Sequence, residues 1–312
     1  MRAVGFHEFG GPDVLQVVDL PEVHAGPGEV RIRVHAATVN PTDLMSRNGS
    51  RAEQLKSEAR PLVAGMEVAG VVDEVGPDVD TGVKAGDAVF GLVVTAGAHG
   101  GYREQIVLNA RSVALAPKGA SHEEAATLPM NGLTARMALD RLGAKAGQTI
   151  AVTGAAGAFG GYVMQLAKAD GLTVVADAAP KDEALVRSLG ADIVLPRGEG
   201  FAAAVRARYP DGVDCLADGA VLKELAVPAV RDGGAFNSVR GWPGNGDRGI
   251  NFSVTGVRAY DGRLELLDSL RQLAEAGRLS MRVGETYPPE RAADAHRRLE
   301  AGGMRGRILL TF

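Results

Sequence analysis

Residues 149–168 read TIAVTGAAGAFGGYVMQLAK, and no other segment constrains the chain as strongly. An apolar, β-like run (149–153) breaks into a turn holding Gly154, Gly157, Gly160 and Gly161, after which Val163, Leu166 and Ala167 recur at helical spacing. Strand, glycine turn and helix in that order aim backbone N–H groups and a helix N-terminus at one point, an arrangement that receives a pyrophosphate. The spacing Ala155-x-Gly157-x-x-Gly160 matches the dinucleotide fingerprint with alanine in its first slot. It places Ala156, Gly157, Ala158, Phe159 and Gly160 against a cofactor's phosphates. A second β-like run, 172–176, ends at Asp177, 20 residues beyond Gly157, about where an acidic side chain meets an adenosine ribose. The competing reading is an ordinary βα turn that binds nothing.

The same stretch raises a second question. Residues 149–167 carry no charge and are nearly long enough to cross a bilayer. A membrane helix needs ~20 predominantly apolar residues in one continuous helix. Here glycines crowd the middle and the two halves differ in periodicity, so a membrane span is rejected. The chain has 312 residues, enough for about two domains. Hydrophobic residues at 46% and charged residues at 23% are ordinary for a globular protein, and a net charge of -4 offers no basic surface to nucleic acid. The single cysteine, Cys215, permits neither an internal disulfide nor a cysteine zinc cluster, and residues 1–20 lack a basic segment followed by an apolar one. A cytoplasmic protein is the expectation.

Character changes along the chain. Apolar runs at 14–18, 29–36, 68–75 and 88–94 alternate with turn clusters such as Gly10-Gly11-Pro12 and Gly76-Pro77-Asp78, which reads as β structure with a short helix within 43–55. Ser121 with Glu124 three residues on is a capping box. Strand-like and helix-like segments then alternate through 149–153, 158–169, 172–176, 181–189, 193–195, 201–208, 215–217, 222–230 and 235–239. Such alternation predicts a parallel sheet with helices on both faces. Helical segments at 263–276 and 290–301 precede a final strand, 307–312, which needs a sheet to join, and the β-rich first third is its host. The predicted fold class is α/β: a Rossmann doubly wound parallel sheet (119–257) inserted in a β-rich domain built from both ends of the chain (1–118 and 258–312).

The segments Ala37-Thr38-Val39-Asn40-Pro41-Thr42-Asp43, Gly65-Met66-Glu67-Val68-Ala69-Gly70, Gly86-Asp87-Ala88-Val89, Leu128-Pro129-Met130-Asn131-Gly132-Leu133-Thr134-Ala135, Gly190-Ala191-Asp192 and Gly306-Arg307-Ile308 follow one another around the glycine turn. In this order they resemble the medium-chain dehydrogenase/reductases over nearly the whole chain, specifically the zinc-free quinone oxidoreductase and enone-reductase branch. The resemblance implies that the β-rich part is a GroES-like catalytic domain and that the activity is hydride transfer from a nicotinamide cofactor to a quinone or α,β-unsaturated carbonyl. Zinc alcohol dehydrogenases of the superfamily carry Cys near the slot of Asn40 and His in the slot of Met66. Neither ligand is present here, and the structural-zinc loop with its cysteines is missing. The six histidines, His7, His24, His35, His99, His122 and His296, have no ligand spacing. No metal site is expected. A quinone or activated C=C needs none, because its own carbonyl takes up developing charge through a hydrogen bond.

Asn40 is expected beside the nicotinamide and the acceptor, its amide donating to the oxyanion, or else to serve only the Asn40-Pro41 turn. Asp43 is expected to cap the following helix. Met45 stands where the enone reductases resembled here often have Lys, and with Met66 it is expected to line the acceptor's wall. Met130, Thr134, Gly219, Phe236 and Ser238 are expected to hold the nicotinamide across an interdomain cleft. Tyr102, in a glycine turn, is expected to pack rather than donate a proton, and the second proton to come from solvent.

The cofactor's identity turns on charge. Asp177 hydrogen-bonds a free ribose diol and repels a 2′-phosphate, which favours NAD. Lys181 and Arg197 stand in slots that, in the resembled NADPH enzymes, neutralise or reach that phosphate, unless both are simply solvated. Two cations against one carboxylate favour NADP, with NAD as the alternative. Apolar strands at 235–239 and 250–257 would leave a sheet edge open in a monomer, so a homodimer is expected. A zinc-type alcohol dehydrogenase and a non-catalytic NADPH-binding protein are the alternative functions.

Overall fold

The computed structural model describes residues 1–312. In chain order its first elements are β1 (Arg2–Phe6), β2 (Gln16–Asp19), β3 (Glu29–Thr38), α1 (Pro41–Arg47), α2 (Ala52–Leu55), β4 (Leu62–Val63), β5 (Glu67–Val75), β6 (Ala88–Leu92), β7 (Gln105–Asn109), β8 (Val113–Leu115) and α3 (His122–Ala126). Then follow α4 (Pro129–Leu142), β9 (Thr149–Thr153), α5 (Ala158–Ala169), β10 (Thr173–Ala178), α6 (Glu183–Ser188), β11 (Ile193–Pro196), α7 (Phe201–Arg208), β12 (Val213–Asp218), β13 (Val230–Ser238) and β14 (Asn251–Val254). The chain closes with α8 (Leu264–Glu275), β15 (Val283–Tyr287), α9 (Ala292–Glu300) and β16 (Arg307–Thr311).

Two compact units result: Met1–Met130 with Tyr260–Glu275 and Met281–Phe312, and Asn131–Ala259 with Ala276–Ser280. The first border falls at 130/131 rather than 118/119, because α3 packs on β3, β5 and β6. The Ser121 capping box that starts α3 forms in both directions, with Glu124 N–H on Ser121 Oγ (3.2 Å) and Ser121 N–H on the Glu124 carboxylate (2.9 Å).

The first unit holds a three-stranded sheet, β2-β1-β4, and a seven-stranded sheet, β15-β16-β3-β5-β6-β8 with β7 also on β3. Along β3 the residues Val30, Ile32 and Val34 are buried while Arg31 and Arg33 alternate outward, the period of a strand with one wet face. Burying one such side chain contributes about 1.5–3 kcal/mol. The closing strand joins the sheet as its apolar pattern requires: β16 runs antiparallel to β3 (Leu309 opposite Thr38, Leu310 opposite Ala37) and parallel to β15.

The second unit is a six-stranded parallel sheet in the order β11-β10-β9-β12-β13-β14. Its central strands are buried along their length, as at Ile150 to Val152 and Val174 to Ala176, because helices cover both faces. Strand order reverses at β9, which has β10 on one side and β12 on the other, so the glycine turn leaves the sheet at its switch point. Residues 222–230 are not the helix their place in the alternation predicts. They form two single 3₁₀ turns, Lys223–Leu225 and Val227–Ala229, because Pro228 has no N–H and the Asp218 carboxylate takes the N–H groups of Leu222 and Lys223. No helix is long and apolar enough to cross a membrane.

Candidate cofactor cradle and catalytic pocket

In the second unit β9 ends at Thr153, and Gly154 takes φ +67, which glycine adopts freely. A Cβ on Gly160 would collide with the Gly154 carbonyl oxygen and stand 2.8 Å from Ala155 Cα, so only glycine lets α5 start this close to the turn. A Cβ on Gly219 would stand 2.7 Å from the Thr153 carbonyl oxygen and 2.9 Å from the Phe159 ring. Gly157 differs. Its φ is -72, and an added Cβ meets only the Gly154 oxygen at 3.1 Å, so the fold alone does not demand glycine there. Asp218 braces the turn. It accepts from Thr153 Oγ1 (2.6 Å), Leu222 N–H (3.0 Å) and Lys223 N–H (2.8 Å), while Ala220 N–H reaches Thr153 Oγ1 (3.1 Å).

Ser238, at the carboxyl end of β13, is fully buried, and its Oγ has no protein partner. An unpartnered buried hydroxyl and a glycine cradle at the carboxyl ends of parallel strands fit a dinucleotide. Phe236 does not present its ring there. The ring packs in the core, with centroids 5.4 Å from Trp242 and 5.6 Å from Phe252, which leaves only its main chain for a ligand. Thr134 lies half-buried on α4.

Asp177 supports the glycine turn through one of its carboxylate oxygens. Its side chain is 4% exposed, and Oδ1 accepts the Ala155 N–H at 2.9 Å, so it locks the glycine turn. Burial raises its pKa, against the N–H groups of Ala155 and Gly154. The 20-residue spacing located the residue but not the direction of its side chain, which turns back on the neighbouring strand's loop. Lys181 and Arg197 are both exposed and stand past the paired ends of β10 and β11, where Ala178 lies opposite Pro196 and Arg197 N–H bonds the Ala178 carbonyl (3.1 Å).

In the first unit Asn40 opens α1 and is 3% exposed. Both ends of its amide are engaged: Nδ2 donates to Glu67 Oε1 (3.2 Å) and Thr38 Oγ1 (3.3 Å), and Oδ1 accepts from Arg307 Nη2 (2.8 Å). This geometry ties Asn40 into the floor of the unit rather than leaving its N–H groups turned to an acceptor. Glu67, fully buried, also accepts from Thr38 Oγ1, from Arg307 Nη2 (2.6 Å) and from Met130 N–H (2.6 Å). Met130 therefore contributes its backbone to the same network. The cap of α1 is Asn40 rather than Asp43; Asp43 stands inside the helix as its capping-box partner, taking the Asn40 N–H (2.8 Å), and further accepts from Gly65 N–H (3.0 Å) and Tyr102 Oη (3.2 Å). Burial lifts its carboxyl to about 6 against those three donors. Asp43 and Met66 line a cavity of about 20 Å³ with Thr42, Ser46 and Thr95, while Met45 lies outside it, 39% exposed. No three His, Cys, Asp or Glu side chains gather into a metal-binding arrangement.

Sequence reasoning missed the Glu67–Arg307 pair and the contact of Tyr102 with His296 (3.2 Å). The available signal was a charge opening each of two otherwise apolar runs, Glu67 before Val68-Ala69-Gly70 and Arg307 before Ile308-Leu309-Leu310.

Comparison with known proteins agrees with the fold. Residues 26–118 match the alcohol dehydrogenase GroES-like domain, and residues 189–310 match the zinc-binding dehydrogenase domain. The NADPH-dependent alkenal/one oxidoreductase of Arabidopsis thaliana is 31% identical over 99% of this chain and 79% of its own length. The quinone oxidoreductase of Rattus norvegicus is 30% identical over 99% of this chain and 97% of its own. The crystal structure of an NAD-dependent alcohol dehydrogenase superposes with a TM-score of 0.88 at 30% identity, covering 100% of both chains.

Proposed function

The chain belongs to the medium-chain dehydrogenase/reductases, and from that premise we propose that it transfers hydride from NADPH to a quinone or an α,β-unsaturated carbonyl without zinc. The observation that carries the reading is the cradle of Gly154, Gly157, Gly160 and Gly219, packed as a dinucleotide requires. NADPH, when bound, supplies the hydride. The protein's own residues do the rest. The backbone from Ala156 to Gly160 and the N-terminus of α5 hold the pyrophosphate, Lys181 and Arg197 meet the 2′-phosphate, and Ser238 Oγ gains its missing partner. Asn40, held by Glu67 and Arg307, keeps the start of α1 in place beside the Met66 cavity, so that the acceptor meets one geometry.

Two finer assignments accompany this. Two copies pair along the exposed edge of β14, the last strand of its sheet. The protein works in the cytoplasm, a reading supported by its one free, buried cysteine.

The test is an assay of purified protein with NADPH and NADH against quinones, enones and simple alcohols, with and without chelator. NADPH oxidation by a quinone or enone, unchanged by chelator, is expected. Brisk, chelator-sensitive alcohol oxidation with NAD would replace this reading with that of an alcohol dehydrogenase, as the similar NAD-dependent alcohol dehydrogenase structure is named.

A further inference from the structure

Four residues other than glycine take a left-handed φ, and two of them stand in one turn of the second unit: Val221 (φ +59) and Lys223 (φ +54). The others are Asp78 (φ +60), in the turn after β5, and Arg248 (φ +54). Aspartate visits this region readily, whereas a β-branched side chain crowds the backbone there, so Val221 is the outlier of the four.

The turn runs from Gly219 to Lys223 and leaves the carboxyl end of β12, where Asp218 stands opposite Thr153, the residue before the glycine turn. The two turns touch. Gly219 N–H donates to the Thr153 carbonyl (3.2 Å), Ala220 N–H donates to Thr153 Oγ1 (3.1 Å), and a Cβ on Gly154 would stand 3.0 Å from Ala220 N. Both flanks of Val221 are held. Asp218, fully buried, takes Leu222 N–H (3.0 Å) and Thr153 Oγ1 (2.6 Å) on Oδ1 and Lys223 N–H (2.8 Å) on Oδ2. Leu222 packs against the core cluster that holds Phe201, Val205 and Phe236. The chain thus curls back onto one carboxylate within five residues, and Val221 sits at the bend. Strain of this kind persists only where the surroundings over-determine it, and it collects at ligand sites. Here the Asp218 carboxylate supplies the constraint, and the strained turn lies against the glycine turn.

We propose that the 219–223 turn is a strained wall of the dinucleotide site and that its strain sets cofactor affinity, an inference that rests on the glycine turn being the NADPH cradle. Asp218 holds the turn left-handed at Val221, the state that fits the cofactor, while the valine side chain favours a φ below zero. A residue that withdraws population from the binding-competent state weakens apparent affinity in proportion. Val221 and Asp218 are positioning residues that act on the cofactor through the turn, in opposite directions.

The test is fluorescence titration of purified variants with NADPH, each confirmed as folded by a melting curve. Glycine adopts a φ above zero as readily as one below, so Val221→Gly should bind NADPH roughly threefold or more tightly than wild type. Asp218→Asn sets an amide N–H₂ against the turn's own N–H groups and should bind roughly tenfold more weakly. Adding Val221→Gly to Asp218→Asn should tighten binding by at least the factor it gains in wild type, because the unbraced turn has the same strain to lose. Asp78→Gly, which frees a left-handed residue of the first unit, should leave NADPH affinity unchanged. If Asp218→Asn does not fold, Thr153→Val, which removes the hydroxyl between Asp218 and Ala220 N–H, takes its place with the same expectation. Unchanged or weaker binding in Val221→Gly, a smaller gain in the double variant, or an equal gain in Asp78→Gly overturns the strained wall and leaves the cradle standing. A wild-type protein that binds neither NADPH nor NADH overturns both.

Discussion

Glu67 Oε1 and Arg307 Nη2 lie 2.6 Å apart, with side chains 0% and 5% exposed, although 240 residues separate them in the chain. The pair joins β5 to β16 and fastens Thr38 and Asn40 through the same atoms. Removing one partner strands a buried charge. Arg307→Met should cost about 3–5 kcal/mol in denaturant unfolding, and the double variant with Glu67→Gln should recover part of that loss. Additive losses would show that the two groups act separately.

Two glycines of the cradle should respond differently. At Gly157 a Cβ would press on one atom only, the Gly154 oxygen at 3.1 Å, so Gly157→Val should melt closer to wild type than Gly160→Val and yet bind NADPH roughly tenfold or more weakly, read by fluorescence titration. At Gly160 a Cβ meets backbone, so Gly160→Val should lower stability by about 1–3 kcal/mol as well. Equal behaviour of the two variants would mean the turn packs but does not cradle.

Lys181→Ala should weaken NADPH roughly tenfold while changing NADH little, since a charge-assisted hydrogen bond to phosphate is lost only for the former. Asp177→Ser should leave that preference nearly unchanged and lower the melting temperature, because the carboxylate serves Ala155 N–H. A large switch of cofactor preference in Asp177→Ser would return Asp177 to the ribose.

His296 and Asp43 should oppose each other in acid. The folded His296 pKa is depressed from 6.5 to about 3, so the unfolded chain binds the extra proton and stability falls as pH drops below 6.5. The folded Asp43 pKa is raised from 3.8 to about 6, so the native state binds the extra proton and stability rises as pH drops from 6 towards 3.8. Each effect is at most about 1.4 kcal/mol per pH unit. Relative to wild type, stability from pH 6 to 4 should therefore fall more steeply with acid in Asp43→Asn and less steeply in His296→Gln. Parallel curves for all three would show that neither group titrates in this way.

What the sequence made legible was local or periodic. The glycine turn, the alternation of the second unit and the Ser121 capping box each depend on residues a few positions apart, whereas the cap expected of Asp43 is Asn40, with Asp43 three residues on as its capping-box partner. The closing strand was legible because an apolar run needs a sheet. Side-chain direction was not. Asp177 and Phe236 were located by spacing along their strands, yet one carboxylate turns onto a loop from the next strand and one ring joins Trp242 and Phe252, choices made by neighbours distant in sequence. Residues 222–230 looked helical until Asp218, outside the segment, claimed two of its N–H groups. Asn40 was singled out for its amide, but Glu67 and Arg307, which occupy that amide, were charges whose pairing only the register of β3, β5 and β16 reveals.

The place of β16 has a consequence for synthesis. This strand, translated after every other strand of its sheet, lies between β15 and β3 in the interior of the seven-stranded sheet. At about 5–20 residues per second, the ribosome leaves Glu67 without Arg307 for roughly 10–50 s. Residues 131–259 can assemble their parallel sheet in that interval, whereas the first unit waits for β16. A nascent chain stalled before residue 307 should therefore carry a protease-resistant second unit and a protease-sensitive first one.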